Sequence, residues 1–410
     1  MSKFQNRLRQ IILRPAPYAI FSWRYLFPGQ RASIRLHRFI FLHAFPNRLR
    51  IEWCIIALYS YAMWFCCRGW IQLFRVWKRF SPVLLERAGI SPSKQFLGLF
   101  KLVFLQTTPP VFYYRYRLYR YQSKEWLDFI YTHELPNWHQ AMSPELSQRT
   151  ANLMSDKAAF AKEMKQQGLP VISDRVITRG TTVPKEQLFQ QTSLFLKPLR
   201  GSQKKDAYRL EYRESSDSYT LVVSADKLLE SREHIIAFIQ SLVNKQDYML
   251  QPLLLNHLDL QELSPLEILI TIRFITVWTG SKAKAVSAII EIPTDEYTNR
   301  VFALPVNLQH GIIMSMAQTV FISDDVASEL KQLAGHKIPL WHELVSVVLK
   351  AHASFPDLFS IGWDLAITPQ GVKLIEGNIN WAVAPHQINS PALMPDHILY
   401  ARPCMNKKHL

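Results

Sequence analysis

The sequence predicts an α+β protein, in which a body of alternating helices and strands follows a mainly helical, basic N-terminal region. Three observations predict it. The 410 residues carry a formal net charge of +16, and all of that excess falls in residues 1 to 150, with 22 Lys+Arg against 6 Asp+Glu; residues 151 to 410 hold 26 against 26. From residue 151 the apolar pattern alternates between helix and strand periods. Near the C-terminus, Ser360 to Asn378 reads as two strands flanking the turn Pro369-Gln370-Gly371. At roughly 150 residues per domain, the length corresponds to two or three domains.

Residues 1 to 80 are basic and rich in aromatics. No acidic residue occurs between Met1 and Arg50, where Arg7, Arg9, Arg14, Arg24, Arg31, Arg35, Arg38, Arg48 and Arg50 alternate with Phe, Trp, Tyr, Ile and Leu. An uncharged run of fifteen residues, Trp53 to Cys67, precedes Arg68. At about 1.5 Å per residue it covers roughly 22 Å, less than a hydrocarbon core of about 30 Å, so a true span would have to include Arg68. Three readings follow: an in-plane amphipathic helix at an anionic membrane surface, a packed helical hairpin with a basic rim, or a span. A nucleic-acid partner is not expected, because no recognisable nucleic-acid module accompanies the charge. The cysteines Cys54, Cys66, Cys67 and Cys404 are neither a disulfide framework nor spaced like a zinc site, which fits a reducing compartment. The Arg-dotted start lacks the apolar core and cleavage site of a signal peptide, so the expected location is cytoplasmic, peripheral at the inner face of the membrane.

Residues 81 to 150 read as helices broken by Pro82, Pro92, Pro109-Pro110, Pro136 and Pro144. The run Tyr113 to Tyr121 alternates rings with Arg. It can stack bases and bind phosphates, or it can cover a core with its rings while the Arg heads reach outward. No internal repeat is visible.

In the body, Ser155 or Asp156 caps a helix that runs to Gln167, where Gly168 stops it, and Leu169-Pro170-Val171 begins an extended piece. Ser193-Leu-Phe-Leu-Lys197-Pro198 is an apolar strand ending in a lysine, followed by a turn with Gly201, Ser202, Lys204 and Lys205. Strand, lysine and glycine turn can cradle phosphates, although one glycine after a strand is most often only a turn. Tyr248-Met-Leu-Gln251-Pro252-Leu253 is a short strand leading into a polar connection. Ile268 to Val277 is a longer strand with Arg273 at its centre; a charge buried in a sheet is costly, so Arg273 either lines a cleft or carries a partner. If the C-terminal hairpin is centred on Gln370, Thr368 faces Val372 and Asp364 faces Glu376, with Asn378 on the same face as Glu376. Two carboxylates opposed across strands need a counter-charge. Either a divalent cation held by Asp364, Glu376 and Asn378 supplies it, as hard cations such as Mg²⁺ favour oxygen ligands, or one carboxylate faces solvent or pairs with Lys373 or an arginine.

Taken in order, Ser155-Asp156-Lys157, Phe-Leu-Lys197-Pro, Tyr-Met-Leu-Gln251-Pro-Leu, Arg273 in Thr-Ile-Arg-Phe, and Gly-Trp-Asp364 through Glu376-Gly-Asn378 resemble an ATP-grasp domain. The nearest likeness is to the sugar-transfer-associated ATP-grasp group, described also as alpha-L-glutamate ligase-related; Pro-Val-Phe-Tyr-Tyr-Arg-Tyr-Arg-Leu-Tyr upstream is similarly suggestive. The resemblance implies an ATP-grasp fold over residues 151–395, two α+β subdomains clasping a nucleotide, with a tail at 396–410. It implies that ATP and Mg²⁺ are cofactors, and that a carboxylate is activated as an acylphosphate and then captured by an amine or other nucleophile. By motif, Lys157 and Lys197 would contact the phosphates with Gly201 and Ser202, Gln251 and Leu253 would line the adenine-side hinge, and Asp364, Glu376 and Asn378 would bind Mg²⁺. Arg273 and Lys197 would be catalytic, with Arg273 stabilising charge on the transferring phosphoryl group. The single glycine after Lys197 departs from the family's glycine-rich lid, and keeps open a degenerate nucleotide-binding scaffold or a membrane adaptor. Asn380 to His386 would shape an acceptor pocket, with His386 either touching the ligand or packed.

Overall fold

The computed structural model describes residues 16, 17, 19–44, 51–199, 206–224, 227–264, 266, 268–294 and 301–406. The lid positions Gly201, Ser202, Lys204 and Lys205 lie outside the described residues.

The N-terminal region is helical. After the helix Ala32–His43, a continuous helical run comprises Ile51–Met63, a π-helical turn Trp64–Arg68, and Gly69–Ala88. Pro82 does not break it: this proline lies inside Gly69–Ala88, and the helix ends only at Gly89, whose φ of 64° is a left-handed conformation that a glycine adopts without a Cβ clash. The Tyr113–Tyr121 segment settles as core. Tyr113, Tyr114, Tyr116 and Leu118 are buried in one aromatic cluster with Trp64, Phe80, Trp126 and Phe129. Arg117, expected to reach outward, instead turns in from a left-handed backbone (φ 52°) and donates from Nη2 to the carbonyls of Ile388 (3.4 Å) and Asn389 (3.1 Å).

The body contains two six-stranded antiparallel sheets. Its strands are β1 (Arg175–Ile177), β2 (Leu194–Pro198), β3 (Tyr208–Arg213), β4 (Ser218–Ser224), β5 (Lys227–Leu229), β6 (Tyr248–Pro252), β7 (Thr271–Trp278), β8 (Ala283–Pro293), β9 (Val301–Asn307), β10 (Ile312–Ile313), β11 (Ser360–Thr368) and β12 (Gly371–Asn378). The first sheet runs β1-β6-β2-β3-β4-β5 and the second β10-β9-β8-β7-β11-β12. Period-two alternation decides what each face carries. In β2, Leu194 and Leu196 pack on the helix Arg232–Val243 through Ile235 and Ile239, which turns Phe195 and Lys197 to the other face. In β7, Ile272 and Phe274 pack on Leu344 and Val348 of the helix Trp341–Ala353, which turns Thr271 and Arg273 the other way.

The C-terminal hairpin differs from its expected register and still brings the same carboxylates together. Its loop has two residues rather than three: Thr368 pairs with Gly371 and Ile367 with Val372. On that register alone Asp364 would face Ile375. A bulge between Asp364 and Leu365 takes up one extra residue of β12, so Asp364 pairs with Glu376 and Gly362 with Asn378.

Candidate active site

A cavity of about 700 Å³ lies between the two sheets, and Lys157, Lys197, Gln251, Leu253, Arg273, Asp364 and Glu376 all line it. Each arrives from a different element. Lys157 opens the helix Lys157–Gln166, capped by Asp156, whose Oδ1 accepts from the N–H groups of Ala158 (3.1 Å) and Ala159 (3.0 Å). That cap aims Lys157 across to β2, where its Nζ lies 3.5 Å from the carbonyl of Pro198. Leu253 follows β6 directly, and its N–H donates to the Ser193 carbonyl at 2.9 Å, which holds the connecting strand against β2.

The floor of the cleft is a charge cluster centred on Arg273. Its guanidinium donates through Nε to Asp364 Oδ1 (2.5 Å) and through Nη2 to Asp364 Oδ2 (2.8 Å), and its Nη1 lies 3.1 Å from Glu291 Oε1. Both alternatives open to an arginine within this strand are thus met: Arg273, half-buried, faces the cleft and it carries partners. The strand pairing explains the contact, since β11 lies between β7 and β12 and Asp364 stands opposite Arg273 on one side and Glu376 on the other. Asn378 bridges the pair, its Nδ2 donating to Asp364 Oδ2 (3.3 Å) and Glu376 Oε1 (3.1 Å). Glu291 and Arg209 also line the cavity, and no sequence motif singles them out. A signal for Glu291 is nonetheless present: one carboxylate within the apolar run Ala288 to Ile292 meets the same burial argument as Arg273.

Burial and mutual charge set the protonation of these groups. Lys197 is pushed down to about 8 by burial and by neighbouring Lys157, against the pull of Glu376. Asp364 is pushed up to about 6, first by burial and then by the facing Glu376 and Glu291, although Arg273 opposes the shift. Arg273 is held firmly protonated: burial works against its charge, and the bond to Asp364 with the surrounding carboxylates more than offsets it. His386 is packed rather than exposed to the cleft, with Nδ1 2.8 Å from Ser287 Oγ, and burial together with the Arg273 charge pulls it down to about 3.

For a divalent cation, the donor set is the test. Among the described residues no group of three or more His, Cys, Asp or Glu stands close enough to hold a metal. Mg²⁺ asks for less, being commonly bound by one or two carboxylates with substrate phosphates and water completing the shell. Asp364 and Glu376 face each other across the strand pair, and their carboxylate oxygens fit Mg²⁺ in kind; Asn378 turns its Nδ2 toward them, so its Oδ1 would join the set only with the amide reversed. Arg273 already occupies both Asp364 oxygens, and a carboxylate has about four lone-pair sites, enough to accept the guanidinium and a cation together.

Two antiparallel sheets with helices on their outer faces and a cleft with a charged floor between them define an ATP-grasp architecture behind a mainly helical N-terminal region. The Sugar-transfer associated ATP-grasp family matches residues 139–399, and the chain belongs to that family. Solved structures that the chain matches include the D-cycloserine synthetase DcsG (14% identity, 64% of this chain and 72% of that one, TM-score 0.37). Others are the ATP-grasp ligase PsnB with Mg and ADP (13%, 66% and 67%, TM-score 0.35) and a D-alanine–D-alanine ligase from Bacillus anthracis complexed with ATP (10%, 62% and 68%, TM-score 0.37). No curated protein sequence matches.

Proposed function

We propose that the protein is an ATP-dependent carboxylate-amine ligase, or one using another nucleophile in place of the amine, that works through an acylphosphate in glycan or surface-polymer modification. The observation that carries this reading is the convergence of two cations, Lys197 and Arg273, with the carboxylates Asp364 and Glu376 on one cavity between the sheets, Asn378 bonding to both carboxylates. In the proposed reaction the γ-phosphoryl group passes from ATP to a substrate carboxylate oxygen, releasing ADP. The nucleophile then attacks the acyl carbon, and phosphate leaves as its C–O bond breaks. Lys157 and Lys197 hold the phosphates, and Gln251 and Leu253 seat the base against the end of β6. Arg273 reaches the transferring group from the floor, where its charge is pre-set by Asp364 and Glu291 and needs no reorganisation as charge develops. Bound Mg²⁺ would neutralise phosphate oxygens from the Asp364 and Glu376 side.

The bidentate hold of Arg273 on Asp364 favours one second reading, a scaffold that binds nucleotide without turning it over, because that contact neutralises a proposed metal ligand. Thermal shift with Mg²⁺-ATP separates these readings from a body that binds no nucleotide. The wild type should be stabilised by mass action, and Asp364→Asn and Glu376→Gln should lose the Mg²⁺-dependent part. Acceptor-dependent ADP release then separates ligase from scaffold. No shift, with calorimetry also showing no binding, rejects both.

A further inference from the structure

The helical run Ile51–Ala88 has two unlike faces. One is buried along its whole length: Ile56, Ser60, Trp64, Gly69, Leu73, Phe80 and Leu84 point into the N-terminal core. Polar contacts pin the same face, with Trp64 Nε1 donating to the Val103 carbonyl (2.8 Å), Trp77 Nε1 to that of Pro92 (3.1 Å) and Tyr61 Oη to that of Ala19 (2.7 Å). The opposite face is apolar and open to solvent, with Trp70 and Phe74 at its edge also resting on Phe104 and Phe96. Ile51, Ile55, Leu58, Trp70, Ile71 and Phe74 are exposed, Leu58 at 70% and Ile71 at 51%. At about 1.5 Å per residue this stripe is roughly 35 Å long, too large to be scattered surface hydrophobics. It passes directly into exposed Arg75, Lys78 and Arg79 on the same side of the helix.

Charge identifies the occupant. Between Met1 and Lys124 the chain has 21 Lys+Arg and two acidic residues, Glu52 and Glu86. An apolar stripe that ends in cations, in a region nearly free of carboxylates, complements a layer with an apolar interior and an anionic rim. We propose that this face docks in the plane of an anionic lipid bilayer, with Leu58, Trp70, Ile71 and Phe74 in the acyl boundary and Arg75, Lys78 and Arg79 at the headgroups. Cys54–Ala88 is long and apolar enough by composition to cross a membrane. Crossing is opposed by the packed face: Arg87, in the last turn, donates to the carbonyls of Thr319 (2.8 Å) and Ile322 (2.7 Å) in the body, so a span would drag buried protein into lipid or break those contacts. In-plane docking leaves every one of them intact.

The test uses the full chain without nucleotide, so its outcome is independent of the ligase reading. Flotation is measured with vesicles of phosphatidylcholine alone and with about one-third phosphatidylglycerol. The wild type should float with the anionic vesicles only, and release as salt rises to about 0.5 M. Leu58→Ser/Ile71→Ser, at exposed positions that should leave the melting temperature unchanged, should lose about tenfold in partitioning, and Arg75→Glu/Lys78→Glu/Arg79→Glu should lose the low-salt binding. Depth is read at Cys66, which lies on the exposed side, carrying an environment-sensitive fluorophore after Cys54, Cys67 and Cys404 are changed to Ser. Its emission should shift to the blue with anionic vesicles, and a label at Glu230→Cys, just past β5 and with Cys66 also changed to Ser, should not. Absence of vesicle binding, equal binding by Leu58→Ser/Ile71→Ser, resistance to alkaline carbonate extraction as a span would show, or a vesicle-blind soluble dimer that the same double variant makes monomeric would each overturn the proposal.

Discussion

Arg273 holds together three acidic side chains that otherwise have reason to separate: Asp364 and Glu291 by direct contact, and Glu376 through the strand pairing. Removing one partner of a buried charge cluster leaves the others uncompensated, which costs about 3–5 kcal/mol. Arg273→Met should therefore lower stability by that order in urea unfolding, and Mg²⁺ should recover more of the loss than an equal ionic strength of K⁺. If Mg²⁺ and K⁺ act alike on the variant, the carboxylates share no cation. Lys197 makes a pH-dependent prediction of definite sign. Its folded pKa of about 8 lies below the unfolded value of about 10.4, so between those limits the folded state binds fewer protons and stability rises with pH through this group. ATP phosphates would favour the charged form, so nucleotide binding at pH 9 should take up a proton and weaken relative to pH 7. Calorimetry in buffers of different ionisation enthalpy measures that uptake directly, and a Lys197→Met control should abolish it.

At the scale of elements, the hairpin β11–β12 is held in its bulged register by close packing on both sides. A Cβ built on Gly362 would meet the Trp381 Cβ at 2.6 Å, and one on Gly377 would meet the Trp363 ring at 2.8 Å, so neither position has room for a side chain. Gly362→Ala should cost about 1–3 kcal/mol through overpacking, read by chemical denaturation, and should also weaken the Mg²⁺-ATP thermal shift, because Gly362 pairs with Asn378. An unchanged shift in the folded variant would separate the packing of Trp381 from the metal-side residues. Asp364 pairs with Glu376 as expected, although the loop is one residue shorter than its turn residues predict. The two deviations, a shorter loop and a bulge, compensate. Turn residues do not encode a bulge several residues away, since it is set by what packs on the strands.

Across the whole molecule, the N-terminal region and the body are joined by a few polar clamps over apolar contacts. Arg87 binds the Thr319 and Ile322 carbonyls and Asp324 Oδ1 (3.1 Å), Phe80 packs on Phe321, and Gln387 exchanges hydrogen bonds with the Ile130 backbone (3.1 and 2.8 Å). Arg87→Ala leaves two carbonyls without their charged donor and should cost about 1–3 kcal/mol. Hydrogen exchange should quicken over residues 314–324 and the end of the long helix, while nucleotide stabilisation is kept. Unchanged exchange there would mean that the apolar contacts alone join the two parts.

By itself the sequence determined the class of fold, the strands that carry Lys197 and Arg273, a last hairpin with carboxylates on both of its strands, and the basic front with its aromatic run. These are local: period, charge and turn chemistry act over a few residues. Only the tertiary structure decided what lies across from what. It placed Arg273 on Asp364, set the bulge that brings Asp364 opposite Glu376, brought in Glu291 from the next strand, buried the rings of Tyr113, Tyr114 and Tyr116, turned Arg117 inward and packed His386 on Ser287. Each depends on residues up to hundreds of positions apart meeting in a shared environment, where the cost of an unpaired buried group selects the partner. The same reason makes Pro82 misleading. A proline forfeits one helical hydrogen bond locally, but the long helix persists because its buried face, from Trp64 to Leu84, is held by the core behind it.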